Sequence, residues 1–363
     1  MNQWISVDLF AGAGGASTGL RDAGLDHALC VEWDEDASKS LKAAGFPAVH
    51  GDVRDLSHYE SLERVDLLWA SPPCQAFSTA GDRQGALDDR NGWPWTLDII
   101  DHLQSRGIGP RYVMCENVPG LTYHKSECTG DVEQCPGCYW MDWIIPEFKK
   151  RFDWVGHIML DAADYGVPQH RRRIFLVAGD RPVKWPSPTH GPPNSAKQSV
   201  LFGSPVRPWK TIRQALGMEK FIGGDMNPHT SEERTERKYR DITDEPSTTV
   251  AAVSIGNAGP FVVAEPGSEP WRLDRPSPAV TCRDDKGARH QKFDPSKTPM
   301  TAADATWRAA GIRRLTWREL ATLQAFPDDY PFEGRTKKSL YRQVGNAVCP
   351  PIAEILGRMI IDA

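Results

Sequence analysis

The sequence is short of the features that would place it in a membrane or outside a cell. No apolar run approaches the ~18 residues that a bilayer-spanning helix requires, and the mean hydropathy is −0.49. The opening residues, MNQWISVDLFAGAGG, lack a basic stretch ahead of an apolar one and pass directly into a strand-and-turn pattern, so no secretory signal is read there. Neither sign of charge prevails. Forty-three Lys and Arg stand against 48 Asp and Glu, a net −5, which excludes a general polycation but leaves room for a local basic groove. Cysteine is scarce: eight in 363 residues, at positions 30, 74, 115, 128, 135, 138, 282 and 349. One lies in a Pro-Pro-Cys-Gln turn and three crowd into eleven residues. That distribution suits a cytoplasmic chain with a catalytic or metal-binding thiol better than a disulfide framework. Membrane, secreted and disordered classes are set aside. A chain this long buries roughly 75% of its unfolded surface without staples, and its length suits two domains.

What is present begins with an alternation. Apolar runs at Trp4–Phe10, His27–Val31, Val65–Ala70, Tyr112–Glu116 and Arg173–Ala178 are separated by helix-like stretches at Ser17–Ala23, Glu35–Ala44, Trp95–Gln104 and Met141–Phe152. Strands alternating with helices imply a parallel sheet covered on both faces, in which ligands sit beyond the carboxyl ends of the strands. The character changes near Lys184, where WPSPTHGPPNSAK has the composition of a domain edge. From there to about Ala310 turn residues dominate, and two Pro-Ser turns, Asp244–Val250 and Asp274–Val280, echo one another. A small loop-rich β domain is expected in this part. Helical pattern resumes at Thr316–Leu323, and the tail VGNAVCPPIAEILGRMII places Pro351 near the start of an apolar helix that must dock on a core.

The strand ends carry the chemistry. Asp8-Leu-Phe-Ala-Gly-Ala-Gly-Gly15 is a strand-to-helix turn whose glycines allow close approach to a nucleotide-like ligand, although a plain packing turn reads the same way. Glu32 ends the second strand, where an acid can hold a ribose diol, and Asp52 ends the third, where it can accept from an adenine amino group. Ser71-Pro-Pro-Cys-Gln-Ala-Phe-Ser78 follows the fourth strand. Its prolines stiffen the backbone around Cys74, a candidate nucleophile, and Thr79–Gly92 has the length and composition of a lid. Glu116, in Glu-Asn-Val-Pro, ends the fifth strand facing Cys74. In Gln-His-Arg-Arg-Arg173, alternation puts Arg171 and Arg173 on one face and Arg172 on the other. Beyond Pro119, His124, Cys128, Cys135 and Cys138 give the spacing H-x3-C-x6-C-x2-C of a candidate structural zinc site, for which reduced surface thiols are the alternative.

Taken together, these blocks resemble the DNA cytosine-5 methyltransferase family. FAGAGG, SPPCQ, ENV and QxRxR occur in the family's order, followed by Arg314-Leu-Thr-Trp-Arg-Glu319, Gln324-Ala-Phe-Pro327 and Gln343-Val-Gly-Asn-Ala-Val348. The resemblance implies an α/β fold: a Rossmann-like, doubly wound, mostly parallel S-adenosylmethionine-dependent methyltransferase sheet with a smaller loop-rich β target-recognition domain. It implies a catalytic and cofactor-binding domain over 1–183, a target-recognition domain over 184–335, most variable from Lys184 to Ala310, and a C-terminal helix over 336–363 that completes the first domain. The cofactor is S-adenosyl-L-methionine, lined by Phe10, Ala11, Gly12, Gly14, Glu32, Trp33, Asp52, Val53, Pro73 and Asn346. Cys74 adds to C6 of a flipped-out cytosine, Glu116 attends to N3, and Arg171 and Arg173 stabilise the base, the phosphate and Glu116. Double-stranded DNA is the partner, contacted by Gln75 and Ser78, and read at the polar residues after Val280, of which Arg283, Lys286 and Arg289 are the best placed with Asp284 and Asp285 between them. A monomer in the cytoplasm of a bacterium, host- or phage-encoded, with a separately acting restriction endonuclease as an optional partner, completes the expectation. A tRNA cytosine-5 methyltransferase is the nearest alternative, and a catalytically silent DNA-binding protein on the same scaffold is the alternative from another class.

Overall fold

The computed structural model describes residues 3–73, 91–126, 128–192, 206–217, 221–224, 239–241, 244–246, 262–264 and 312–363. Seven strands form the central sheet: β1 (Trp4–Leu9), β2 (Leu25–Glu32), β3 (Ala48–His50), β4 (Leu67–Ala70), β5 (Tyr112–Asn117), β6 (Trp154–Asp161) and β7 (Arg172–Gly179). Their order is β3-β2-β1-β4-β5-β7-β6. β1 to β5 pair in parallel, and β7 runs antiparallel to both of its neighbours. The strand order turns back between β1 and β4, so the loops leaving these two strands flank the switch point where doubly wound sheets bind ligands.

Burial explains the strand sequences. β4 (LLWA) and β5 (YVMCEN) are buried at every position, as strands covered on both faces must be. On one face Val7, Leu9, Leu68 and Val113 pack against Trp93, Leu97 and Ile100 of α3 (Gly92–Ser105) and against Trp140 and Phe148. On the other, Leu67, Trp69 and Met114 meet Leu20 of α1 (Gly15–Ala23) and residues of the C-terminal helix. Caps fix the helix starts. Asp34 accepts from the Ala37 amide at α2 (Glu35–Ala43), and Asn91 accepts from Trp93 at α3. The helical stretch expected at 141–152 begins earlier, with a single turn at Pro136–Cys138 that runs into a π-helical turn at Tyr139–Ile144 and on into α4 (Ile145–Lys149). β6 was not among the expected apolar runs. As an edge strand it is only half-buried over most of its length, which blurs its hydrophobic pattern.

Among the described residues between 184 and 314 the elements are short. β8 (His190–Gly191) pairs with β9 (Arg207–Pro208), and α5 (Ile212–Leu216) follows. β10 (Phe221–Gly224), β11 (Tyr239–Asp241), β12 (Val262–Ala264) and β13 (Ile312–Arg314) form an antiparallel sheet in the order β11-β10-β12-β13. Apart from 244–246, the two Pro-Ser echoes lie outside the described residues. Thr316 then makes a capping box with Glu319 and opens α6 (Trp317–Leu323). α7 (Lys337–Asn346) and α8 (Pro350–Ile361) end the chain. An 18-residue window within 337–361 reaches a mean hydropathy of 1.3, enough by length and composition to cross a membrane, which the sequence reading did not anticipate. That window is 67% buried inside the protein, and Leu356 and Ile360 are fully enclosed, so its apolar character is that of a core helix.

α8 lies directly on α1. A Cβ on Gly19 would come within 2.1 Å of the Pro350 carbonyl oxygen and 2.6 Å of the Glu354 amide nitrogen, and one on Gly15 within 2.2 Å of the Val348 carbonyl. Backbone atoms cannot swing aside as a side-chain tip can. Gly19→Ala is therefore expected to destabilise the protein despite the ~1 kcal/mol that alanine gains in helix propensity, since overpacking costs ~1–3 kcal/mol or more. The check is the urea midpoint, which should fall with an unchanged slope. An unchanged or raised midpoint would refute this close packing.

Candidate active site

The turn after β1 is built for close approach. Phe10 takes a left-handed backbone, φ 56°, and Gly14, φ 84°, caps α1 from the same region, where glycine carries no steric penalty. Glu32, at the end of β2, accepts from the Gly12 amide with one carboxylate oxygen and from the Asp34 amide with the other, both at 2.7 Å. Burial raises its carboxyl, and these two amides pull the other way. The Glu32 carbonyl in turn takes the Gly51 amide at 3.0 Å, which sets Asp52 beside it. Asp52 pairs with Arg54 at 2.6 Å, and that hydrogen bond holds its carboxyl below the usual range. The Arg54 guanidinium lies 4.6 Å over the Trp95 ring, and Trp95 stacks on Phe10 at 6.4 Å. Contacts thus run in a closed circuit from Gly12 through Glu32, Asp52, Arg54 and Trp95 back to Phe10. Of the other expected cofactor residues, Ala11 and Val53 are buried and Trp33 is 69% exposed beside this circuit. Sequence reading missed Arg54 and Trp95. The Asp-x-Arg spacing and the Trp-Pro-Trp at the start of α3 were the available signals.

The other half of the site is the β5–β7 pair. Glu116 is buried, and its Oε1 lies 2.9 Å from Arg173 Nε. Asn117 donates to the Pro72 carbonyl at 3.1 Å, tying the end of β5 to the Ser-Pro-Pro turn. Pro73 lies against Gly92, where an added Cβ would meet its ring at 2.7 Å. The two ends of the intervening segment therefore meet at its base. Cys74, Gln75 and Ser78 lie outside the described residues, as do Arg283, Asp284, Asp285, Lys286 and Arg289. The two arginines of the Arg-Arg-Arg run divide their partners. Arg173 goes to Glu116, whereas Arg171 is buried and donates through Nη2 to the carbonyls of Gly345 and Ala347, each at 2.9 Å. Arg172 faces outward. Asn346, exposed between the two carbonyls that Arg171 holds, is placed by that clamp. Gln324, donating to the Val344 carbonyl, supports it from α6.

Asp8 is a fourth carboxylate and was not singled out from the sequence. It is fully enclosed in β1, and Ser17 of α1 donates to its Oδ2 at 2.5 Å. Burial first, and the Glu32 charge after it, push its pKa up to about 7 against the pull of Ser17. Farther along the chain, the ligand atoms of His124, Cys128, Cys135 and Cys138 all lie within 4.8 Å of one another.

The model of the family described as C-5 cytosine-specific DNA methylase matches residues 5–362. Type II methyltransferase M.NgoMIV of Neisseria gonorrhoeae is 30% identical over 371 residues, covering 99% of this chain and 98% of that protein. Type II methyltransferase M.AquIA of Picosynechococcus sp. is 32% identical over 222 residues, 58% of this chain and 86% of that protein. Among solved structures, the Entamoeba histolytica methyltransferase EhMeth superposes with a TM-score of 0.61 at 16% identity, covering 100% of this chain and 99% of that one. The S. pombe Dnmt2 methyltransferase gives 0.60 at 16%, covering 99% of each chain.

Asp8 makes stability depend on pH. Its carboxyl binds a proton more tightly in the folded state, with a pKa of about 7, than in an unfolded chain, where an aspartate titrates near 3.8. The stability it contributes is fully present below the unfolded value and is lost as pH rises through about 7. Asp8→Asn keeps an acceptor for Ser17 and carries no charge, so it should flatten the decline in denaturant-measured stability across that window. Parallel declines in wild type and variant would remove Asp8 as the cause.

Proposed function

Because the chain belongs to the C-5 cytosine-specific DNA methylases and is a DNA cytosine-5 methyltransferase, we propose that it methylates C5 of a cytosine flipped out of a specific double-stranded DNA site, through a covalent Cys74–C6 intermediate. The observation that carries this reading is the Glu116–Arg173 pair at the end of β5, joined through Asn117 to the Pro72 carbonyl two residues before Cys74.

The circuit at the β1 and β2 ends suits S-adenosyl-L-methionine. Among the described residues nothing lies within 4 Å of a Cβ built on Gly12, so on their side a ligand can approach that backbone. Glu32 and Asp52 keep acceptor capacity beyond the contacts they make, since a carboxylate offers about four lone-pair positions. Glu32 would take the ribose hydroxyls and Asp52 the adenine amino group, with Phe10, Ala11, Gly14, Trp33, Val53, Pro73 and Asn346 around them. When bound, this cofactor supplies an electrophilic methyl group on a sulfonium.

The protein's own residues do the rest. Cytosine C5 is a weak nucleophile. Addition of the Cys74 thiolate to C6 forms an S–C bond and moves an electron pair towards C5 as an enamine, with negative charge spreading to the N3 side. Glu116 hydrogen-bonds or protonates N3 and holds the 4-amino group, and Arg173 keeps Glu116 oriented. Arg171 acts through the segment around Asn346 as a positioning residue. After C5 is methylated, its proton leaves to a base, the C5–C6 double bond re-forms and the thiolate departs with its electron pair. The reaction needs the base outside the stack, because C6 is covered in a duplex.

Residues 1–183 together with 336–363 form the catalytic unit in this reading, and 184–335 recognise the target. Arg283, Lys286 and Arg289 read guanine edges, and Asp284 or Asp285 accepts from cytosine, each good bidentate contact contributing ~1–3 kcal/mol of discrimination. Gln75 and Ser78 contact the displaced base or its backbone. The enzyme acts as a monomer in the cytoplasm, and any cognate endonuclease would work as a separate protein.

Cys74→Ala should abolish tritium transfer from labelled cofactor to DNA while retaining DNA binding. DNA carrying 5-fluorocytosine at the target should trap wild type, but not this variant, as an SDS-stable adduct. An adduct formed by the variant, or methyl transfer to tRNA rather than DNA, would refute the proposal. Glu116→Gln should lower kcat by ~10²–10⁴-fold, the usual range for a lost general acid, with little change in the KM for DNA. Arg283→Ala and Arg289→Ala should relax the methylated-site profile. Unchanged profiles and rates in both would take that segment out of target reading.

A further inference from the structure

The strongest unassigned feature is the insertion between β5 and the π-helical turn. Its described residues from His124 to Gly130 are exposed, and its side chains there are Lys125, Ser126 and Thr129 besides the histidine and Cys128. Among the described residues no apolar cluster lies within it. Four side chains nevertheless converge. His124 Nδ1 is 3.6 Å from Cys128 Sγ, 3.5 Å from Cys135 Sγ and 3.5 Å from Cys138 Sγ. Cys128 Sγ is 3.4 Å from Cys135 Sγ and 3.2 Å from Cys138 Sγ. A tetrahedral zinc ion with bond lengths of about 2.3 Å to sulfur and about 2.05 Å to nitrogen separates its ligands by roughly 3.8 Å (S to S) and roughly 3.6 Å (S to N). The observed sulfur–nitrogen distances match this, and the two sulfur–sulfur distances, 3.4 and 3.2 Å, are about 0.4 and 0.6 Å shorter. A disulfide would use two of the three sulfurs and leave the third, with the imidazole, gathered at the same point for no reason.

We infer that His124, Cys128, Cys135 and Cys138 bind one structural zinc ion as three thiolates and a neutral imidazole, with the three thiol protons released to solvent on binding. The backbone is shaped for it. Cys135-Pro-Gly-Cys138 makes a tight knuckle in which Gly137 donates to the Tyr123 carbonyl at 3.1 Å. An added Cβ on Gly137 would meet the His124 backbone nitrogen at 2.8 Å and its ring at 2.9 Å, so glycine is what lets the knuckle close over the histidine. Cys135 and Cys138 are buried and Cys128 is exposed, the arrangement of a site open at one edge and anchored on the other.

The anchor leads back to the active site. Tyr139, next to Cys138, donates its amide to the Cys135 carbonyl at 2.9 Å and receives at its hydroxyl the Asn91 side-chain amide at 2.8 Å. Asn91 caps α3 and is the first described residue after segment 74–90. The neighbouring Trp140 is buried edge-on against Trp93, at 5.9 Å. A metal that orders the knuckle therefore also steadies the start of α3, where the chain continues after the segment containing Cys74. Zinc here is a scaffold and takes no part in the chemistry proposed for Cys74, so it stands or falls independently of that mechanism.

Full-length protein purified without added metal is expected to carry one equivalent of zinc by elemental analysis. Cys128→Ser, at an exposed ligand, should lower that content severalfold. Replacing zinc with Co2+ should produce thiolate-to-metal charge-transfer and tetrahedral d–d absorption. Chelation should lower the melting temperature and speed hydrogen exchange at the amides of Gly137 and Tyr139. Zinc well below one equivalent in wild type, iron in its place, or undiminished zinc in both Cys128→Ser and Cys138→Ser would overturn the assignment. Loss of zinc without any change in melting temperature or exchange would overturn the structural role.

Discussion

A parallel sheet has to be covered on both faces, and this protein covers one of them with its first helix and its last. Leu20 of α1 and Ile352, Leu356 and Ile360 of α8 close over Leu67, Trp69 and Met114. The fit is backbone to backbone at Gly15 and Gly19. Part of the candidate site depends on that closure. Once α8 is seated, the chain just before it must cross the carboxyl edge of the sheet. Arg171 then finds the Gly345 and Ala347 carbonyls, and Tyr330 reaches the Ala13 carbonyl at 2.5 Å. Residues more than 300 positions apart are brought to one strand edge by the need to bury a single apolar face.

Three acids withdrawn wholly or partly from water stand at that edge, and each is handled differently. A carboxylate taken from water without a partner is costly enough that it usually takes up a proton instead. Asp8 follows that course, sealed in β1 with one hydroxyl donor and a strongly raised pKa. Glu32 is compensated by two backbone amides, which lock the turn after β1 to the end of β2. Glu116 is matched by the guanidinium of Arg173. The first arrangement suits a structural role, the second a ligand-binding rim, and the third a group that must keep its orientation while a proton is exchanged.

The strands and helices that are long, apolar and bounded by turn residues were legible in the sequence: β1, β2, β4, β5 and β7, with α1, α2 and α3 between them. So were the acids and glycines at their ends, because a strand end is a position that local pattern can identify. β6 was not legible, since an edge strand has no strict alternation to read. Trp95 and Arg54 were not either: the Asp-x-Arg and Trp-Pro-Trp patterns mark them singly, and only the fold brings them together beside the Asp52 turn. The convergence of His124 with three cysteines was suggested by spacing and became specific only when the ligand atoms fell within 4.8 Å of one another.

The sequence by itself marked which residues are candidates for chemistry and where the strands that carry Glu32 and Glu116 end, because residue type and hydrophobic period are local properties of the chain. Tertiary structure decided who partners whom. Arg171 and Arg173, two positions apart on the same face, were indistinguishable in sequence. One holds the segment around Asn346 and the other holds Glu116. That difference arises from β7 running antiparallel to β5 and from α7 and α8 folding back across the sheet, contacts between distant parts of the chain that no local pattern contains.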